Sequence, residues 1–132
     1  MRGEGRGPPL TKGLARLGDS LINFVCSAAA SLEGGRPRGI RVKNEILSKA
    51  AKELRLKEEL GLRGVKLKGG DLVEALLAYV WLKGALSLED MIRIARRGFS
   101  ASEGDLEGRV FGSVVALLRE LLKASKHKYF RY

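Results

Sequence analysis

The stretch Asp71–Lys83, DLVEALLAYVWLK, decides the fold. At 100° per residue, Leu72, Val73, Ala75, Leu76, Leu77, Tyr79, Val80, Trp81 and Leu82 surround the axis. A helix apolar on every side is a buried one. Gly84 is placed to end it. Two carboxylates break the pattern: Asp71 and Glu74, spaced i and i+3, share one side near Ala78. An ionised carboxylate among apolar neighbours needs compensation, from an arginine or from a divalent cation. The alternative is plainer, with Asp71 a helix N-terminal charge and Glu74 a salt-bridge partner.

Outward from this segment the chain reads as helices. From Leu10, the residues Leu14, Leu17, Leu21, Ile22, Phe24 and Val25 fall on one side of a helical wheel, and small residues follow from Ser27 to Ala30. Within this helix, Gly18 costs about 1 kcal/mol against Ala, so it needs a reason such as close approach of another helix or a ligand. Its neighbour Asp19 lies just off the apolar face, where an ordinary solvent-facing role is the alternative. Glu33–Gly39 (EGGRPRG) is a turn-rich basic connection. Asn44 is expected to cap a second helix running to about Leu56 with Ile46, Leu47, Ala50, Ala51 and Leu54 inward. Leu60–Gly70 reads as a basic linker. Ser87 with Asp90 forms a capping box before Met91, Ile92, Ile94 and Ala95. Gly98–Gly108 reads as loop, and Val110–Ala124 as a last amphipathic helix. No segment alternates with period two and no internal repeat is present, so the class is all-α. The expected organisation is a flexible basic arm (1–9), one helical domain (10–124) and a basic aromatic tail (125–132).

Composition bounds the function. With 132 residues, 45% of them hydrophobic, the chain makes one domain with a real core. The 25 Lys and Arg against 15 Asp and Glu give a net charge of +10, a surface that favours polyanions, nucleic acid first. One cysteine, Cys26, excludes an internal disulfide framework and a cysteine zinc site. Cys26 is expected to be a small buried apolar residue. One histidine, His127, argues against His-rich metal sites and a Ser-His-Asp triad. Glutamine is absent and only Asn23 and Asn44 carry the other amide, a hint of heat adaptation. The N-terminal stretch has no apolar signal core, and the longest apolar stretches, Leu21–Leu32 and Leu72–Leu82, are too short to span a bilayer. A soluble cytoplasmic protein is expected, with no membrane partner and no small organic cofactor.

Three motifs in order resemble the ribonuclease III catalytic domain. Gly13–Leu21 (GLARLGDSL) resembles that family's Leu-rich signature ending in Leu-Gly-Asp. Val42–Leu56 (VKNEILSKAAKELRL) is similar to its following helix. Asp71–Leu82 resembles its Asp-x-x-Glu-Ala-Leu helix. Any one of these motifs is weak alone; their order and spacing carry the resemblance, which spans Gly13 to about Gly84. The resemblance implies a helical homodimer with a valley for double-stranded RNA, in which Asp19, Asp71 and Glu74 match metal-site acids. It departs at Ala15, where typical members hold a further acid. An Ala there is also similar to the family's minimal branch, which has no separate double-stranded-RNA-binding domain, and none is expected here after Gly84.

The activity so implied is endonucleolytic hydrolysis of double-stranded or structured RNA by metal-activated water. It needs no nucleophilic side chain, in keeping with a single Cys and a single His. Mg²⁺ is the expected ion, with Mn²⁺ able to substitute. Two ions about 3.5–4 Å apart would clamp the attacking and leaving oxygens. A single, largely hydrated Mg²⁺ on Asp19 and Glu74 is the alternative left open by Ala15. Duplex RNA is read by shape, through phosphates and 2′-hydroxyls. The candidate contacts are Arg36, Arg38, Arg41, Lys43 and Asn44 before and at the start of the second helix, and Lys66 and Lys68 before the metal-site helix. Arg93, Arg96 and Arg97 read as a solvated face. A catalytically decayed RNA-binding protein on the same fold is the alternative function.

Overall fold

A computed structural model describes residues 9–62 and 65–126. The expected arm and most of the expected tail, His127 included, lie outside the described residues. Six helices occur among the described residues, with no strand: α1 (Lys12–Gly34), α2 (Asn44–Glu53), α3 (Leu56–Leu60), α4 (Gly69–Leu82), α5 (Leu88–Ala101) and α6 (Leu106–Ser125). The all-α expectation holds.

α4 is the central rod. Every residue from Leu72 to Val80 is buried, because α1, α2 and α6 pack around it. α1 makes the most extensive of these contacts and also packs on α5, while α5 and α6 form a second close pair. α1 begins where the Thr11 hydroxyl accepts from the Leu14 amide, and ends where Gly35 takes φ +72°.

The face of α1 turned inward is Ala15, Gly18, Ile22, Val25, Cys26, Ala29 and Ala30. Two residues expected on the apolar side, Leu17 and Phe24, are instead 36% and 53% exposed. Close approach to α4 selects the stripe that carries the small side chains, and that leaves the bulky Leu17 and Phe24 on the outer flank.

Several boundaries differ from the sequence expectation, each for a local reason. Lys43, not Asn44, occupies the N-cap of α2, in extended conformation and without a side-chain cap bond. α2 stops at Glu53 because Arg55 adopts φ +52°, and Leu56–Leu60 continues as the separate short helix α3. The expected linker ends early, since α4 starts at Gly69.

The largest difference is at Gly98, expected in a loop. α5 runs through it to Ala101, and α6 begins at Leu106 behind the N-cap of Asp105. Gly98 is a contact point and not a breaker: a Cβ there would lie 2.4 Å from the Gly112 carbonyl oxygen of α6. The Ser87–Asp90 capping box forms as expected. Cys26 is buried, and burial pushes its thiol up to about 12.

Candidate active site

The three acids singled out in the sequence come together. Asp19 of α1 and Asp71 and Glu74 of α4 line one pocket of about 350 Å³, beside Lys12, Ala15 and Arg16. Gly18 is what allows it. A Cβ on Gly18 would sit 1.8 Å from the Glu74 carbonyl oxygen, so only glycine lets α1 press against the α4 backbone at this level. The helix behind the Leu-Gly-Asp step thus delivers Asp19 to the mouth of the pocket while Glu74 rises from its floor.

Burial differs across the set. Glu74 is 8% exposed, Asp71 is half-buried in the first turn of α4, and Asp19 is exposed. Burial, then a hydrogen bond to Asp19, then the charges of Asp19 and Asp71 push the Glu74 carboxyl up to about 8. Below that pH Glu74 keeps a proton and shares it with Asp19. No Lys or Arg among the described residues forms an ion pair with Asp19, Asp71 or Glu74. The salt-bridge alternative for Glu74 therefore fails among these residues, although Lys12 and Arg16 stand in the same pocket.

Such a donor set suits a hard divalent cation. Carboxylate oxygens are the ligands of Mg²⁺ and Mn²⁺, and an ion there would offset the burial and neighbouring charges that hold the proton on Glu74. No group of three or more His, Cys, Asp or Glu among the described residues has the closeness of a ready-made metal cage. An open, water-rich Mg²⁺ site does not need one, because the ion keeps several waters. Ala15 also lines the pocket and is 6% exposed.

Asp19 is held from behind. The Val42 amide donates to Asn23 Oδ1 at 2.7 Å, which orients the amide so that Asn23 Nδ2 donates to Asp19 Oδ1 at 3.3 Å. The family model for ribonuclease III matches residues 12–125. The chain belongs to the ribonuclease III family. No curated relative matches it. The match spans all six helices of this ribonuclease III-family domain, beyond the Gly13–Gly84 stretch that carries the three sequence motifs.

The basic candidates do not form one cluster. Arg36 and Arg38 line a notch with Arg109, apart from the carboxylate pocket. Arg41 is exposed on the segment leading to α2. Lys43 is engaged, its Nζ 2.7 Å from Glu107 Oε2, and that partner raises its pKa. Asn44 stands beside the start of α4: a Cβ on Gly70 would come 2.1 Å from Asn44 Oδ1. Lys66 is exposed, and Lys68 is the exposed N-cap of α4.

Lys12, Arg16, Asn23 and Arg109 were missed by sequence reasoning. Helical spacing carried a signal for two of them, since Arg16 and Asn23 stand three before and four after Asp19. Arg109 carried none, because its stretch reads as the edge of a loop. Arg93 and Arg96 pair with Asp90 and Glu33 on the surface, as a solvated face should.

Proposed function

We propose that this protein is a metal-dependent endoribonuclease that hydrolyses phosphodiester bonds in double-stranded or structured RNA. The observation that carries the reading is the Asp19–Asp71–Glu74 pocket, whose acids form no ion pair among the described residues, with a Glu74 carboxyl raised to about 8. Acids kept together at such a cost in a buried helix serve a site and not the core.

Asp19, Asp71 and Glu74 would hold Mg²⁺, with Mn²⁺ as a substitute. When bound, the ion supplies Lewis acidity toward the phosphate and a means of ionising water near neutral pH. Glu74 would give up its proton to such an ion and contribute the most buried oxygens. Asn23 orients the Asp19 carboxylate. Lys12 and Arg16, exposed beside the three acids, would offer cations to the RNA strand. Arg36, Arg38, Arg41, Lys66 and Lys68 offer cations to the backbone, and Asn44 offers a polar contact near the start of α4. Lys43 contributes less than its position in the sequence implies, because Glu107 already holds it.

The active form we infer is a homodimer. Leu17 and Phe24, one heptad apart on the outer flank of α1, and Trp81 and Leu82 at the end of α4 are large exposed apolar residues. A monomer gains nothing by showing them to water. No helix of the described residues is long and apolar enough to cross a membrane. A cytoplasmic location goes with an RNA substrate.

Incubation of a labelled RNA duplex with the protein, with Mg²⁺ or with EDTA, tests the reading beside Glu74→Gln. Metal-dependent cutting that the variant loses, with RNA binding kept, is the expected result. Tight binding with no cutting under any metal would instead make the protein a decayed RNA binder, with buried Ala15 as the lesion.

A further inference from the structure

One face of α1 carries a ladder of polar side chains at four-residue steps. Asn23 accepts from the Val42 amide at 2.7 Å. Ser27 accepts from the Ile40 amide at 2.6 Å and donates to the Ile40 carbonyl at 3.2 Å. Ser31 accepts from the Arg38 amide at 2.9 Å and donates to the Arg38 carbonyl at 3.1 Å. Every second residue of the returning segment is thereby pinned to the helix, antiparallel to it. The ladder begins at Asp19, to which Asn23 also bonds, and ends at Arg38. A flexible connection between two helices is thus fixed as a rail.

At the far end of that rail lies a notch of about 450 Å³ lined by Arg36, Arg38 and Arg109 with Gly34, Phe99 and Leu106. It differs from the other basic surfaces. The groove of Arg93, Arg96 and Arg97 includes Glu33 and Glu89, and two of its arginines are already paired with acids. Lys43 is paired with Glu107. No carboxylate lines the Arg36 notch, and among the described residues none of its three arginines forms an ion pair with one. Arg109 is already oriented: its guanidinium donates to the Phe99 carbonyl at 3.3 Å and rests 5.7 Å from the centre of the Phe99 ring. A planar fork held in place loses little entropy on meeting a phosphate.

We propose that Arg36, Arg38 and Arg109 form a phosphodiester-binding notch that grips the backbone of the RNA duplex away from the scissile bond. Asp19 and Ser31 are twelve residues apart on α1, so the two ends of the ladder stand about 18 Å apart along one rigid helix. A mononucleotide cannot reach both. A duplex, touched at successive points along its backbones, can. The notch therefore acts as a register stop, setting how far along the duplex the cut falls from a gripped phosphate. This inference rests on the RNA-cleaving reading above.

The test is duplex RNA affinity measured over a range of salt, without divalent metal, for the full chain. Arg36→Ala/Arg38→Ala retains the main-chain bonds to Ser31, so its Tm stays at the wild-type value. Its affinity falls about tenfold, and the slope of log K against log salt shrinks by about 1, because one phosphate is no longer neutralised. Arg109→Lys keeps the charge but not the fork, so it weakens binding by a smaller factor with the slope unchanged. Arg97→Ala, an arginine on another face, changes neither. Wild-type affinity and slope in the double variant, or an equal weakening in Arg97→Ala, would overturn the notch and leave the nuclease reading standing. Absence of RNA binding by the wild-type protein would overturn both.

Discussion

Two helix crossings in this molecule use one packing device for opposite ends. Where α1 meets α4, Gly18 lies against the Glu74 backbone; where α5 meets α6, Gly98 lies against Gly112. At the second crossing the serine hydroxyls find partners. Ser113 Oγ donates to the Ala95 carbonyl at 2.8 Å, and Ser102 Oγ to the Gly98 carbonyl at 2.8 Å. At the first crossing, close approach buries Glu74 among carboxylates, and burial first, then Asp19 and Asp71, lift it to about 8. Glycine brings backbones together in both places, and what surrounds the glycine decides whether the result is scaffold or site. The α5–α6 pair satisfies these polar atoms internally. The α1–α4 pair leaves its acids without an ion pair among the described residues.

Gly18→Ala should give the largest effect, because its Cβ meets backbone at 1.8 Å, where nothing can rotate away. We expect a loss of about 3 kcal/mol or more in denaturant unfolding, together with loss of cleavage. Gly98→Ala, with its nearest backbone atom at 2.4 Å, should destabilise by a comparable or smaller amount. Its folded fraction should still cut RNA. Equal loss of turnover per folded molecule in the two variants would erase the distinction between the crossings.

Next in size is a pH effect confined to the first crossing. The folded Glu74 value near 8 lies above the ordinary carboxylate value of 4.5. Between these limits the metal-free folded state binds a proton that the unfolded chain does not. Its stability is therefore full below pH 4.5 and falls as pH rises toward 8, by the order of a few kcal/mol. Glu74→Gln should flatten that fall and be the more stable protein at about pH 9 without metal, above the folded Glu74 value. A wild-type profile as flat as the variant's would show that neither burial nor neighbouring charge raises Glu74 in the folded protein.

Ala15→Glu sharpens the same comparison from the other side. A further carboxylate in the pocket should lower metal-free stability by about 1 kcal/mol and enlarge the rise in Tm caused by Mg²⁺. An unchanged response to Mg²⁺ would remove Ala15 from the account of the site. Ser113→Ala, at the satisfied crossing, should cost about 1 kcal/mol with no change in cleavage. Least of all, Lys43→Ala should leave Tm where it was, since the Lys43–Glu107 pair is exposed on both sides.

How far the sequence could be read follows the same division. α4 was legible because its apolar surround and two carboxylates are local facts, and Gly18 was legible as a position needing a reason. The reason itself, a helix crossing at Glu74, lies 56 residues away in the chain and has no local trace. Gly98 shows the opposite error. A glycine that lets two helices touch looks, along the chain, like one that ends a helix. The outward turn of Leu17 and Phe24 was hidden too, since periodicity gives a stripe its spacing but not the partner that covers it. In the site, the acids could be found by type and order. Asn23 and Arg109 could not be assigned, because their roles depend on the Val42 amide and the Phe99 carbonyl, main-chain atoms with no mark in sequence.

At the centre of the proposed function, the α1–α4 crossing gathers carboxylates whose burial and mutual repulsion a divalent cation would offset. The direct measurement is the titration of the Glu74 side-chain carboxyl by carbon NMR, without metal and with saturating Mg²⁺. The expected result is a midpoint near 8 without metal, moving down to the ordinary carboxylate range or below when Mg²⁺ is present. A midpoint near 8 that Mg²⁺ leaves in place would contradict it.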